Sequence, residues 1–262
     1  MPHLDTLLLK ERLASLAGRF DVDVLAECDS TSSELLRRAA AGAPSGSVVL
    51  AERQWAGRGR RGRSWAAQPA DSLTFSLLWR LPAGCQPSGL SLVVGLAVLE
   101  ALRSLGAAGL ALKWPNDLLL VRADGFAKLA GVLIELSSDR RGMLACIGIG
   151  LNLRAPEGDF AFPVAGLQEA LSSLPARYIL LAEMLRILAG RLDAFTSAGF
   201  APLRADWMRH HAWQDRPVSL LADGVIEESG YCRGVDADGA LLLETAAGLR
   251  RILAGDVSLR AS

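Results

Sequence analysis

Lysine is nearly missing from this chain. The 262 residues carry only Lys10, Lys113 and Lys128, against 25 arginines, so arginine is the default cation and each lysine marks a place where a compact ammonium is wanted instead of a planar fork. The formal net charge is zero, which excludes the broad basic excess of a general nucleic-acid binder. Histidine is limited to His3, His210 and His211, and Cys28, Cys85, Cys146 and Cys232 are scattered with no Cys-x-x-Cys pair, so no metal-site spacing exists. The longest apolar stretch, Leu90 to Leu99, falls short of the ~20 residues of a membrane span, and no segment has the layout of a signal peptide. These absences lead to the expectation of a cytoplasmic protein with no membrane partner, its Cys28, Cys146 and Cys232 serving as small core residues. With 51% hydrophobic residues, the chain can bury one large domain or one large plus one small.

What is present is concentrated. Gly57-Arg58-Gly59-Arg60-Arg61-Gly62-Arg63 interleaves four arginines with three glycines between Gln54-Trp55-Ala56 and Ser64-Trp65. Glycine lets main-chain N–H groups approach a ligand, and arginine offers donors matched to carboxylate or phosphate. The run therefore reads as an anion-holding loop. It also satisfies the dinucleotide fingerprint Gly-x-Gly-x-x-Gly, but that pattern must open a helix, and here the chain leads into another strand-like run, Ser72 to Trp79. A solvated surface loop and a nucleic-acid patch are the other readings.

Apolar spacing predicts a helix over Leu4 to Leu16, a strand over Val22 to Ala26, and a helix after Asp29-Ser30-Thr31-Ser32-Ser33-Glu34, where several side-chain oxygens are available as N-caps. Ser30 to Ser32 would then sit where unpaired N–H groups and the positive end of the helix dipole gather. Strands are expected at Ser47 to Glu52, Ser72 to Trp79, Leu110 to Lys113, Leu118 to Val121, Lys128 to Leu136 and Met143 to Leu151, with a long apolar helix from Ser88 to about Leu105. Residues 153 to 170 carry Pro, Gly and little periodicity and read as a mobile loop, and helices follow over about 177 to 196 and 201 to 210. After Asp215-Arg216-Pro217 the texture turns to short strands (Val218 to Leu220, Tyr231 to Val235, Leu241 to Leu243, Val257 to Leu259) separated by Asp223-Gly224, Asp238-Gly239 and Ala247-Gly248, which suggests a small barrel.

Two further motifs carry chemistry. Lys113-Trp114-Pro115-Asn116-Asp117 puts a cation, an aromatic, a fixed φ and two oxygen-bearing side chains at a strand corner. Lys128-Leu129-Ala130-Gly131 opens a strand on a lysine, and Ile147-Gly148-Ile149-Gly150-Leu151-Asn152 places two glycines on one face of the next, as for a close-contact floor ending at Asn152.

In order along the chain, Asp29-Ser30-Thr31, Gln54 with the arginine-glycine run, Lys113 to Asp117, Lys128 to Gly131 and Gly148 to Asn152 resemble the biotin protein ligases, from about residue 24 to the end. Arg233-Gly234-Val235-Asp236 and Gly239 to Leu243 resemble that family's C-terminal SH3-like barrel. The resemblance implies an α+β fold: a mixed β-sheet catalytic domain flanked by helices, similar to class II aminoacyl-tRNA synthetases, over residues 1–214, and the barrel over 215–262.

It further implies a cytoplasmic ligase that uses ATP and Mg²⁺ to convert biotin to biotinyl-AMP and then passes biotin to a lysine of the biotin carboxyl carrier protein. Biotin binding falls by the resemblance to Ser30, Thr31, Ser32, Gln54, Gly57, Arg58, Gly59, Arg60, Lys128, Gly148 and Gly150. Nucleotide binding falls to Arg58, Arg60, Arg63, Trp65, Lys113, Asn116 and Asn152, with Asn152 also the candidate Mg²⁺ contact. The catalytic set is Lys128, Arg60, Asp117 and Lys113, in which Lys128 offsets oxyanion charge, Lys113 faces phosphate and Asp117 orients or deprotonates the incoming lysine.

Trp55 departs from the family's commonly polar residue at that place, and residues 153 to 165, where the family often orders an adenine-contacting aromatic, match poorly, so neither Phe160 nor Phe162 is assigned that part. About twenty residues precede the catalytic region, too few for the helix-turn-helix domain of about sixty that makes some members repressors, so no DNA partner is expected. Oligomeric state stays open, a homodimer included. The alternatives are a lipoate ligase and an arginine-loop nucleic-acid or protein-binding module.

Overall fold

The computed structural model describes residues 4–65, 68–139, 142–222, 225–253 and 258–261. Helix α1 (Thr6–Leu13), capped by Asp5 accepting from the N–H groups of Leu7 and Leu8, runs on into a 3₁₀ segment, Ala14–Arg19. There follow β1 (Asp21–Cys28), α2 (Thr31–Ala40), β2 (Ser47–Gln54), β3 (Ser72–Leu81), α3 (Leu90–Ser104), β4 (Leu110–Lys113), β5 (Asp117–Arg122), β6 (Gly125–Asp139), β7 (Gly142–Asn152), α4 (Arg177–Ala198) and α5 (Arg204–Arg209). The C-terminal part supplies β8 (Pro217–Ala222), β9 (Val225–Val235), β10 (Leu241–Thr245), β11 (Gly248–Ile252) and β12 (Ser258–Ala261). The Asp223-Gly224 turn and Val257 lie outside the described residues.

β1 to β7 form one sheet in the order β1-β2-β3-β7-β6-β5-β4. Only β1 and β2 run parallel, and every other neighbouring pair is antiparallel. Parallel neighbours need a crossover, which α2 provides, so the α2 N-terminus lies at the carboxyl ends of β1 and β2, where Cys28 faces Gln54. α1, α3 and α4 cover one face and α2 the other. α3 is apolar nearly all round because it lies between the sheet and α4, its Leu92, Val93, Leu96 and Leu99 buried.

The sequence-predicted helix over Leu4 to Leu16 is shorter as an α-helix, because the chain tightens to 3₁₀ at Ala14. The loop expected at 153 to 170 is pinned: the Lys128 N–H donates to the Pro163 carbonyl at 2.7 Å and the Ala165 N–H to the Lys128 carbonyl at 2.8 Å, making a bridge onto β6. Five antiparallel strands, β11-β10-β9-β8-β12, make the second sheet, consistent with an SH3-like barrel. Its apolar side chains, among them Val218, Cys232 and Leu241, join the same core as the large sheet. Polar ties reinforce the joint: the Trp114 indole N–H donates to the Gly239 carbonyl at 3.0 Å, and Arg204 Nε to the Val235 carbonyl at 2.5 Å.

Candidate active site

One cavity of about 220 Å³ opens where the α2 N-terminus, the arginine-glycine loop and the β3-β7-β6 strands meet. It has a neutral end and a charged end. At the neutral end, Ser30, Thr31 and Ser32 are all buried and line the wall. Ser30 occupies the N-cap position of α2, yet its hydroxyl makes no cap bond. The expected local cap is replaced by a distant one: Gln54 Oε1 accepts from the Thr31 N–H at 2.7 Å. That fixes the amide of Gln54, with Oε1 held by the helix and Nε2 left as a donor. Thr31 and Ser32 also bond to Ser76, at 2.9 and 3.0 Å.

The glycine floor is explained by what stands on it. A Cβ on Gly148 would meet Ser32 Oγ at 2.7 Å, and one on Gly150 would meet the Trp65 indole at 2.3 Å. A Cβ on Gly131 would meet Lys128 and Trp65 at 3.2 to 3.3 Å. The room expected beside Gly148 and Gly150 is thus used by Ser32 and by Trp65. Gly57 lines nothing here; it is buried, and a Cβ there would strike the Trp65 carbonyl at 2.5 Å.

The arginine-glycine loop is a small hairpin. Gly59 N–H donates to the Arg63 carbonyl at 2.6 Å, Trp65 N–H to the Gly57 carbonyl at 2.8 Å, and Arg58 bridges Ser64. Arg61 sits at φ 60, the left-handed turn between these arms. Arg58 reaches across to Glu135 on β6 at 2.5 Å, and Arg60 Nη1 donates to Asn116 Oδ1 at 3.1 Å, whose own amide is fixed by donating to the Val132 carbonyl at 2.8 Å. Arg58, Gly59, Arg60 and Arg63 therefore line the cavity beside Asn116.

At the charged end, Lys128 lines the cavity and pairs with Asp117 at 2.7 Å, with its ammonium 5.6 Å from the Trp65 ring centroid. Behind this pair lies Lys113, 4% exposed and 3.7 Å from the other Asp117 oxygen. Lys113 faces Phe162 at 4.4 Å and Trp213 at 5.4 Å, not the cavity. Burial pushes its ammonium down to about 7 although Asp117 opposes this. Burial also works to raise Asp117, but Lys128 and Lys113 outweigh it and hold the carboxylate below its ordinary range.

Asn152 is buried on the cavity wall, and its amide nitrogen is spent on the Ala165 carbonyl at 3.2 Å. No cluster of three His, Cys, Asp or Glu side chains suited to a metal occurs among the described residues. Glu135 and Asp117 are engaged by Arg58 and Lys128. A Mg²⁺ ion would find one neutral oxygen of Asn152 here, so the donor set fits an ion carried in with phosphates and not a cage of protein ligands.

Among the wall residues not singled out from sequence are Thr74 and Arg260. Ser72, Thr74 and Ser76 alternate with Leu73, Phe75 and Leu77 on β3, a polar face on an otherwise apolar strand; that alternation was a legible signal. Thr74 Oγ1 and Trp65 Nε1 are buried without a hydrogen-bond partner. Arg260 enters the cavity from β12, and its guanidinium packs on Phe162 at 5.0 Å. Nothing in the local sequence marks Arg260, because the fold of the C-terminal sheet alone carries it there.

Residues 25–152 match the model of the biotin/lipoate A/B protein ligase family, and residues 215–260 that of the biotin protein ligase C terminal domain. Over 265 residues the chain is 39% identical to the bifunctional ligase/repressor BirA of Escherichia coli K12, covering 99% of this chain and 80% of that one. It is 37% identical over 246 residues to the biotin–[acetyl-CoA-carboxylase] ligase of Paracoccus denitrificans, covering 89% of this chain and 98% of the relative. Among solved structures, biotin protein ligase from Aquifex aeolicus in complex with biotin and ATP matches with a TM-score of 0.74 at 29% identity, over 92% of this chain and 99% of that one.

Proposed function

The chain belongs to the biotin/lipoate A/B protein ligase family as a biotin–[acetyl-CoA-carboxylase] ligase, and from that premise we propose how its own residues divide the work. The enzyme activates biotin with ATP and transfers it to a lysine of the biotin carboxyl carrier protein. A carboxylate oxygen of biotin attacks the α-phosphorus, pyrophosphate leaves, and biotinyl-5′-AMP forms. The acceptor amine then attacks the carbonyl carbon; a C–N bond forms, AMP leaves, and the amine gives up a proton.

Ser30, Thr31, Ser32 and Gln54 hold the ureido ring at the neutral end, where hydroxyls and an amide N–H suit a polar, uncharged ring. A dithiolane has no such groups to offer, which favours biotin over lipoate. Lys128 faces the carboxylate and the α-phosphate as a single compact charge. Arg58, Arg60 and Arg63 hold the phosphate from the loop, Asn116 supports Arg60, and Trp65 gives a flat apolar surface beside the nucleotide. Asp117, kept ionised by two lysines, orients the incoming amine more readily than it accepts its proton. Lys113 acts on phosphate through the field it adds behind Asp117, because Phe162 covers it. Mg²⁺ would supply charge neutralisation alongside ATP, with Asn152 the candidate protein residue to contact it.

The division at residues 214 and 215, a cytoplasmic setting and a homodimer left open complete this reading. No described helix is long and apolar enough to cross a membrane. Zero net charge, and commitment of the arginine cluster to the cavity, support a small-molecule ligand over DNA.

The observation that carries the proposal is the convergence of the α2 hydroxyls, the arginine-glycine hairpin and the Lys128–Asp117 pair on one cavity. The test is exchange of labelled pyrophosphate into ATP with no acceptor present. Biotin-dependent exchange is expected; exchange with lipoate and none with biotin overturns the reading.

A further inference from the structure

Ser76 lies at the middle of β3, fully buried, and does not line the cavity. It is nevertheless the hub of a three-hydroxyl chain. Its Oγ donates to Thr31 Oγ1 at 2.9 Å, and its Oγ is 3.0 Å from Ser32 Oγ in a contact that either atom can donate. A serine hydroxyl has one proton and two acceptor lone pairs. Once the Ser76 proton is given to Thr31, the contact with Ser32 can only run from Ser32 to Ser76.

The consequences at the cavity wall follow from counting protons. Thr31 has accepted from Ser76, so its own proton is free to donate into the cavity. Ser32 has spent its proton on Ser76, so what it presents is an acceptor lone pair. Gln54 is fixed in the same sense, since its Oε1 is taken by the Thr31 N–H and Nε2 remains as a donor. Gly148 is the condition for the arrangement, because a Cβ there would stand 2.7 Å from Ser32 Oγ. The wall thus offers donors from Thr31 and Gln54 and an acceptor from Ser32, the complement of a cyclic urea with its carbonyl oxygen and ring N–H.

Resting on the biotin reading above, we propose that Ser76 is a positioning residue that sets the donor and acceptor polarity of the head-group site without touching the substrate. Without Ser76, Thr31 and Ser32 face each other or solvent as free rotors, and neither is committed to the ligand.

The test compares wild type and Ser76→Ala in pyrophosphate exchange, with biotin and with its analogue carrying a thiocarbonyl in place of the urea carbonyl, a poorer acceptor. In Ser76→Ala the KM for biotin rises roughly tenfold, about what one ligand hydrogen bond contributes, while kcat and the KM for ATP stay within about twofold. Its preference for biotin over the thiocarbonyl analogue also shrinks, because the donor that read the carbonyl is no longer committed. Ser32→Ala loses the acceptor but leaves Ser76 donating to Thr31, so it raises the biotin KM and keeps the preference. If Ser76→Ala does not fold, Ser76→Cys, a poor donor of similar size, carries the same comparison. An unchanged biotin KM, or a preference undiminished in the Ser76 variant, overturns the proposal. Exchange by wild type that does not depend on biotin overturns the functional reading instead, so the two failures are distinct.

Discussion

The two ends of the cavity are held by different physics. At the neutral end every fixed group is an uncharged hydroxyl or amide, tied by bonds of 2.7 to 3.0 Å to α2, β2 and β3. At the other end, Lys113, Asp117 and Lys128 form a charged triad in which Lys113 is buried and the other two are partly so, and Arg58 and Arg60 are anchored to Glu135 and Asn116. Neutral hydrogen bonds discriminate shape and polarity at modest net energy, whereas charges in a low-dielectric setting act strongly on charge that develops in a reaction. On the proposed function, choice of substrate falls to the neutral end and rate to the charged one.

The largest expected effect is at the charged end. Lys128→Gln removes the one ammonium lining the cavity and should lower the maximal exchange rate by a hundredfold or more, on the order of what a lost oxyanion donor costs. A drop of less than about tenfold would remove Lys128 from the chemistry.

Next in size is Arg60→Gly, which keeps the loop's length and releases its tie to Asn116. The adenylate should still form but escape several-fold faster, labelling bystander lysines; retention equal to wild type after dialysis would show that the hairpin holds without this guanidinium.

Lys113→Met sharpens the comparison through stability. The folded-state pKa of Lys113, about 7, lies below its ordinary value of about 10.4. Between these values the unfolded chain binds more protons, so the lysine's burden on folding is complete below about pH 7 and fades as pH rises toward 10. The variant should therefore melt higher than wild type at pH 6, with the gain shrinking across pH 7 to 10. A difference that stays flat over that range would mean that Lys113 is not held against its charge.

The smallest effect belongs to the joint between the two sheets. Trp114→Phe keeps one aromatic ring but loses the N–H that meets Gly239 together with part of the buried indole, costing roughly 1 to 3 kcal/mol. Denaturant unfolding should register that loss; a cost near zero would mean the buried apolar contacts alone hold the sheets together.

Much of the charged end was legible in sequence. Few packed elements suit interleaved glycines and arginines, and two of only three lysines fall in the stretch from 113 to 128, so the arginine loop, Lys113 and Lys128 stand out from composition, and Asp117 from the motif it shares with Lys113, while their separate roles came from the family resemblance. The neutral end was half legible. Ser30 to Ser32 read as a local helix cap, but the cap comes from Gln54, 23 residues away from Thr31, a pairing that only the parallel β1-β2 register creates. Ser76 belongs to the polar face that alternation marks on β3, but its pairing with Thr31 and Ser32 appears only in the fold. Lys113 was assigned a phosphate contact by the family resemblance; Phe162 covers it through a loop whose anchoring to Lys128 leaves no periodic trace. Arg260 is invisible to local reasoning, since 107 residues separate it from the end of β7.

The division of labour is tested most directly by the biotin dependence of pyrophosphate exchange in Gln54→Ala and Lys128→Gln, measured side by side at saturating ATP. Gln54→Ala should raise the half-saturating biotin concentration roughly tenfold or more and leave the maximal rate within a few-fold, while Lys128→Gln should collapse the maximal rate with far less change in half-saturation. The opposite pattern, a rate defect from Gln54 and a pure binding defect from Lys128, would contradict the account.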